Sequence, residues 1–188
     1  MHRSCRALKR RNIRRGRTVF NLEIPSAQWA IQVLTLDYLI DGSLDAERDK
    51  NSFRLQGHDV SPLPLTSARF RVAGALSVSP PPAIPWVLIY GDQLVAIIPK
   101  DEASQAAARQ MNAAFKVAVK AEVYAGPYVI RGEVLSPDGS LRVFEGYTGF
   151  PVQNAEIKCL IPGAQLGQLK APYVLVMSRH KQALVPIK

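Results

Sequence analysis

Pro85-Trp86-Val87-Leu88-Ile89, followed by Ala96-Ile97-Ile98-Pro99, returns as Pro172-Tyr173-Val174-Leu175-Val176 and Ala183-Leu184-Val185-Pro186. The gap inside each copy is the same, so one offset of 87 relates the two. That offset also aligns Leu63-Pro64-Leu65 with Phe150-Pro151-Val152 and Ala68 with Ala155, while Phe53-Arg54-Leu55 meets Leu141-Arg142-Val143 at 88. A module of about 70 residues used twice is the economical reading. It predicts an all-β chain of two tandem small antiparallel barrel or sandwich modules from an internal duplication, joined by a short α-helix.

Working outward, each copy reads as a hairpin. In the first, Gly91-Asp92 supplies a permissive turn between apolar strands Trp86–Tyr90 and Gln93–Ile98, and Pro99 ends the second strand. The copy at 172–186 is read likewise. Upstream, Ile31, Val33, Leu34 and Leu36 open a first strand that is expected to stop at Asp41-Gly42. Residues 45–52 read as an exposed polar loop, Phe53–Leu55 and Leu63–Val72 as strands, and 79–85 as a stiff proline-rich connection.

Residues 101–114 change texture: rich in Ala and Gln, with no Pro or Gly and with Asp101 and Glu102 at the start. They predict a helix with Ala107, Met111 and Ala114 on its packing face. The second module is expected to hold six strands: Phe115–Val123, Tyr128–Leu135, Leu141–Phe144, Phe150–Leu160 and the final pair. Gly126-Pro127 and Ser136-Pro137-Asp138-Gly139 mark turns. A helix ahead of a short meander resembles Sm-like barrels in pattern. The paired strands ending in Val-Leu-Val also resemble bacterial domains of unknown function, a likeness that implies no activity. The expected organisation is therefore an arm at 1–25, a first β module at 26–100, a linker helix at 101–114 and a second β module at 115–188.

The chain carries 24 Lys and Arg against 15 Asp and Glu, a net charge of +9. Eight of those bases, and no acid, lie in the first 17 residues, so the rest of the chain is nearly neutral. Such a segment repels itself and buries little, and is expected to be disordered alone. It reads as an electrostatic arm for phosphate or anionic lipid, as a solvated tail, or as codons upstream of the true start. No apolar run reaches the roughly 20 residues that cross a bilayer. Cys5 and Cys159 sit in dissimilar surroundings and do not suggest a disulfide framework, which points to a reducing, cytoplasmic setting.

The residues that carry chemistry are sparse. His2, His58 and His180 are scattered, with His180 in a basic turn between Arg179 and Lys181, and no metal-ligand spacing appears. Neither a nucleophile elbow nor a phosphate-binding loop is present, and Gly163 and Gly167 read as loop punctuation. The acid groups Asp37 with Asp41 and Asp45 with Glu47 read as solubilising. No catalytic, cofactor or metal site is therefore expected, and the chain is read as a non-enzymatic binding or assembly protein with protein partners or itself as partner. The alternative is nucleic-acid binding through Arg10, Arg11, Arg14 and Arg15 of the arm together with Arg54, Arg69 and Arg71 near Phe53 and Phe70, and with Arg142, matched to Arg54, near Phe144 and Tyr147. Trp86 and Tyr173, which lead the two copies, are expected to anchor a module core or the contact between modules.

Overall fold

The computed structural model describes residues 27–55, 62–73, 81–141, 147–162 and 168–187. Its strands are β1 (Gln28–Thr35), β2 (Tyr38–Asp45), β3 (Leu63–Val72), β4 (Ile84–Ile89) and β5 (Leu94–Pro99), then β6 (Val117–Ala125), β7 (Tyr128–Ser136), β8 (Gly149–Cys159), β9 (Leu169–Met177) and β10 (Lys181–Pro186). One helix, α1 (Glu102–Met111), separates the two sets, and short 3-10 turns cover Lys50–Phe53 and Ser178–His180. Among the described residues the chain is all-β apart from that helix and the 3-10 turns.

The ten strands form one open antiparallel sheet in the order β10-β6-β7-β8-β9-β5-β1-β2-β3-β4. Taken by halves, this is β5-β1-β2-β3-β4 and β10-β6-β7-β8-β9, so each half places its fifth strand beside its first and its fourth at the far side. The halves join where β5 meets β9, with Ala96 opposite Val176 and Ile97 opposite Leu175.

The two expected hairpins are not formed. β4 pairs with β3, β5 with β1 and β9, and β10 with β6. The Gly91-Asp92 turn is real, since Gln93 N–H donates to the Tyr90 carbonyl at 3.0 Å and Leu94 N–H to that of Gly91 at 3.4 Å. A turn fixes that the chain reverses; it does not fix which strand the emerging segment joins. That choice has a geometric consequence. Four strand spacings separate the fourth and fifth strands, about 19 Å in a flat sheet. Met177 and Lys181 have three residues between them, four Cα-to-Cα steps that reach only about 14 Å when fully extended. The sheet of that half must therefore curl until its outer strands come close, and the short link from Ile89 to Leu94 requires nearly as much of the other half.

A second feature recurs. The β2–β3 register shifts between Asp41 and Ser43, and the β7–β8 register between Arg131 and Glu133. Gly42 and Gly132 lie at these shifts, opposite Ser67 (φ 52°) and Asn154 (φ 51°), which take the left-handed conformation. Such bulges sharpen strand bending, as the curl demands. A Cβ on Gly132 would sit 2.6 Å from the Gln153 carbonyl oxygen, so no side chain fits there. Gly42 is therefore inside β2 and does not end a strand; the actual turn is at Leu36-Asp37.

Burial explains why Ile31, Val33, Leu34 and Leu36 show no strict alternation along the chain. Residues 31–35 are all buried, both faces of β1 being covered, so alternation is lost. Phe53–Leu55 is not a strand: Phe53 ends a 3-10 turn and stacks on Trp29 with ring centres 5.2 Å apart. In the second half the segment Arg142–Phe144 lies outside the described residues, and five strands are described.

α1 begins at Asp101, whose carboxylate accepts the Ser104 backbone N–H at 2.7 Å and also that of Ala30 on β1. This cap fastens the helix start to the first half. The buried face is Ser104 and Ala108, flanked by Ala107 and Met111, whereas Ala114 is exposed beyond the helix end. At the other end Asn112 is buried and closes α1 against the Lys50–Phe53 turn.

Candidate interaction edges

Matching strands of the two halves differ sharply in cover. In β9 the run Tyr173–Met177 is buried, Tyr173 being 1% exposed; the matching residues of β4 begin with Trp86 at 56%, and Ile84 and Tyr90 are also exposed. β5 is buried throughout, whereas its match β10 is mostly exposed, with Val185 at 44%. The difference follows from pairing: β5 and β9 cover one another, while β4 and β10 are the outer strands of the sheet.

Outer strands present unpaired backbone donors and acceptors, which proteins ordinarily protect with charge, proline or short length. β4 is Ile-Pro-Trp-Val-Leu-Ile, without a charge, and only Pro85 blunts it. Covering the exposed part of Trp86 alone would contribute on the order of 2 kcal/mol. The expectation that Trp86 anchors a core is thus not met, whereas Tyr173 does anchor one. Above Tyr173 lies Arg109 of α1, 5.4 Å from the ring centre. Burial pushes the Tyr173 hydroxyl up to about 12, and Arg109 partly offsets that rise.

The basic residues singled out in the sequence are placed as follows. Arg10, Arg11, Arg14, Arg15 and Arg142 lie outside the described residues. Arg54 is exposed just after the 3-10 turn. Beside it Phe53 is fully buried, so it is not free to stack on a base. Arg71 meets Asp41 at 2.6 Å, and Asp41 also accepts from Gln32 at 2.7 Å. Phe70 packs edge-on against Tyr38, and Tyr147 against Phe115.

A cleft of about 370 Å³ opens where the two halves meet, lined by Arg48, Asp49, Arg54, Leu94, Thr148 and Met177 among others. Arg48 is held by Asp49 at 3.1 Å, which raises the guanidinium above its ordinary value. His180 is half-buried in the second 3-10 turn, where its carbonyl accepts from Gly126 N–H at 3.1 Å. Among the described residues there is no group of three or more His, Cys, Asp or Glu placed to hold a metal ion. Among them, no helix is long and apolar enough to cross a membrane. Cys159 is a free thiol.

Comparisons of the chain with protein-family models, curated proteins and solved structures find no match.

The edge residues were missed by sequence reasoning, which treated 86–98 as a self-contained hairpin and 79–85 as a connection. The signal present was the uncharged run Ile84–Ile89.

Proposed function

We propose that this chain is a non-enzymatic assembly or interaction protein that binds by adding a strand to the outer edge of its sheet. The observation that carries this reading is the contrast between β4, uncharged and exposed, and its covered match β9. Main-chain hydrogen bonds would supply affinity, and Trp86 with Ile84 and Tyr90 would supply apolar anchoring. The duplication, and the Sm-like small-barrel character of each half, belong to this proposal. They are supported by the repeated strand order, the repeated bulge and the curl that the short fourth-to-fifth links demand.

The test is a photo-reactive amino acid placed at position 86 of the full chain in its native cells, with the exposed Lys116 position as control. Adducts of defined mass from position 86 alone are the expected result. No adduct at 86, or equal labelling at both positions, would overturn the reading.

A second reading, nucleic-acid binding, rests on the concentration of eight bases without an acid in residues 1–17. Its measure is binding to mixed-sequence single- and double-stranded oligonucleotides over a salt series. Salt-sensitive binding by the full chain that falls in a chain starting at Thr18, and falls further on Arg54→Ala with Arg142→Ala, would favour it.

A further inference from the structure

The two outer strands of the sheet are a matched pair that the chain itself already shows how to join. β5 and β9 pair inside the molecule. β10 stands to the second half as β5 stands to the first, and β4 stands to the first half as β9 stands to the second. Each outer strand therefore lacks the neighbour that its counterpart has. We propose, building on the edge-binding reading above, that the occupant of the β4 edge is β10 of a second copy of this chain. The contact repeats the internal β5–β9 junction and joins copies head to tail.

The internal junction fixes the register. Shifting Ala96↔Val176 and Ile97↔Leu175 by the offset of 87 gives Ala183 of one copy opposite Ile89 of the next, and Leu184 opposite Leu88. The residue types agree across that shift. Ile97 and Leu175 at the internal junction become Leu184 and Leu88, all aliphatic, and no charged side chain enters the central pairs. Lys181 lies at the start of β10, outside those pairs.

Because the two surfaces differ, the contact is heterologous: each added copy leaves one β4 and one β10 open. Growth ends only when the rotation per step closes a ring, and otherwise continues as a filament. A two-fold β4–β4 dimer is a different arrangement and stops at two copies.

The experiment uses the full chain and two variants altered at exposed positions, which spares the core. Ile84→Lys with Trp86→Lys blocks β4; Ala183→Lys with Val185→Lys blocks β10. Light scattering during size exclusion is expected to give the wild type a mass several-fold that of one chain. Each variant, with wild-type thermal unfolding, is expected to run as one chain. An equimolar mixture of the two should run at twice that mass, since one free β4 and one free β10 remain. A Leu88→Cys, Leu184→Cys chain should form an oxidised ladder that Leu88→Cys with Gln182→Cys does not.

A monomeric wild type at every concentration up to its solubility limit overturns the proposal, as does a β10-blocked variant that still dimerises by itself. If the wild type is monomeric while position 86 still captures a different protein, self-pairing fails and the edge-binding reading stands. No capture at position 86 removes both.

Discussion

The side-chain amide of Asn112 donates to the Phe53 carbonyl at 2.7 Å and to the Ala108 carbonyl at 2.9 Å, and its oxygen accepts the Leu55 N–H at 3.2 Å. One residue thus ends α1 and satisfies backbone groups 57 and 59 positions away. Asn112→Ala takes that partner from one backbone N–H and two carbonyls, and each group left unsatisfied costs about 1–3 kcal/mol. The expected loss is about 3 kcal/mol in urea unfolding, or roughly 9 °C in melting temperature. A loss below about 0.5 kcal/mol, the usual range for a surface change, would show that water replaces the amide.

The two bulge glycines are predicted to differ. A Cβ at Gly132 meets backbone at 2.6 Å, and one at Gly42 meets the Thr66 carbonyl oxygen at 3.3 Å. Gly132→Ala must displace strand β8 and is expected to cost about 3 kcal/mol, whereas Gly42→Ala is expected to cost about 1. Denaturant midpoints of the two variants measured side by side decide it; equal or reversed losses would sink the claim.

Alkaline pH is expected to destabilise the fold through two tyrosines. Burial raises the hydroxyl of Tyr173 to about 12 and that of Tyr128 further, so in the folded chain both stay neutral where an exposed tyrosine ionises. The unfolded chain releases its protons near pH 10, so stability holds below that pH and falls as pH rises toward 12. Each tyrosine adds a slope of about 1.4 kcal/mol per pH unit. Tyr173→Phe and Tyr128→Phe should each flatten the slope by about that amount. The Tyr128 hydroxyl is buried and has no hydrogen-bond partner among the described residues, so Tyr128→Phe should lose nothing at neutral pH. An unchanged alkaline slope in both variants would refute the assignment.

The all-β class and the helix at Glu102–Met111 were legible because local composition carries them. The partners of β4 and β5 were not. Gly91-Asp92 is a good turn in isolation, and only the requirement that β1 be covered on both edges sends β5 away from β4. Gly42 was misread for a related reason: beside Asp41 it has the composition of a turn, yet its lack of a side chain serves the crossing of β3. The exposure of Trp86 was illegible because it depends on β4 lying at the outer edge of the sheet while β9 lies between β8 and β5, an arrangement that no local window contains. Arg71 offered itself as a binding residue, but its ion pair with Asp41 spans 30 positions.

The β5–β9 junction also orders events in time. A ribosome delivers β5 first, and roughly 80 more residues must follow before Leu175 can meet Ile97, a wait on the order of ten seconds at ordinary translation rates. Through that interval the nascent first half shows Val95, Ala96 and Ile97 along an open edge, although every residue of β5 is buried in the finished protein. Long-range strand pairing of this kind folds slowly. The period of synthesis, before the second half arrives, is therefore when this chain has most need of a chaperone.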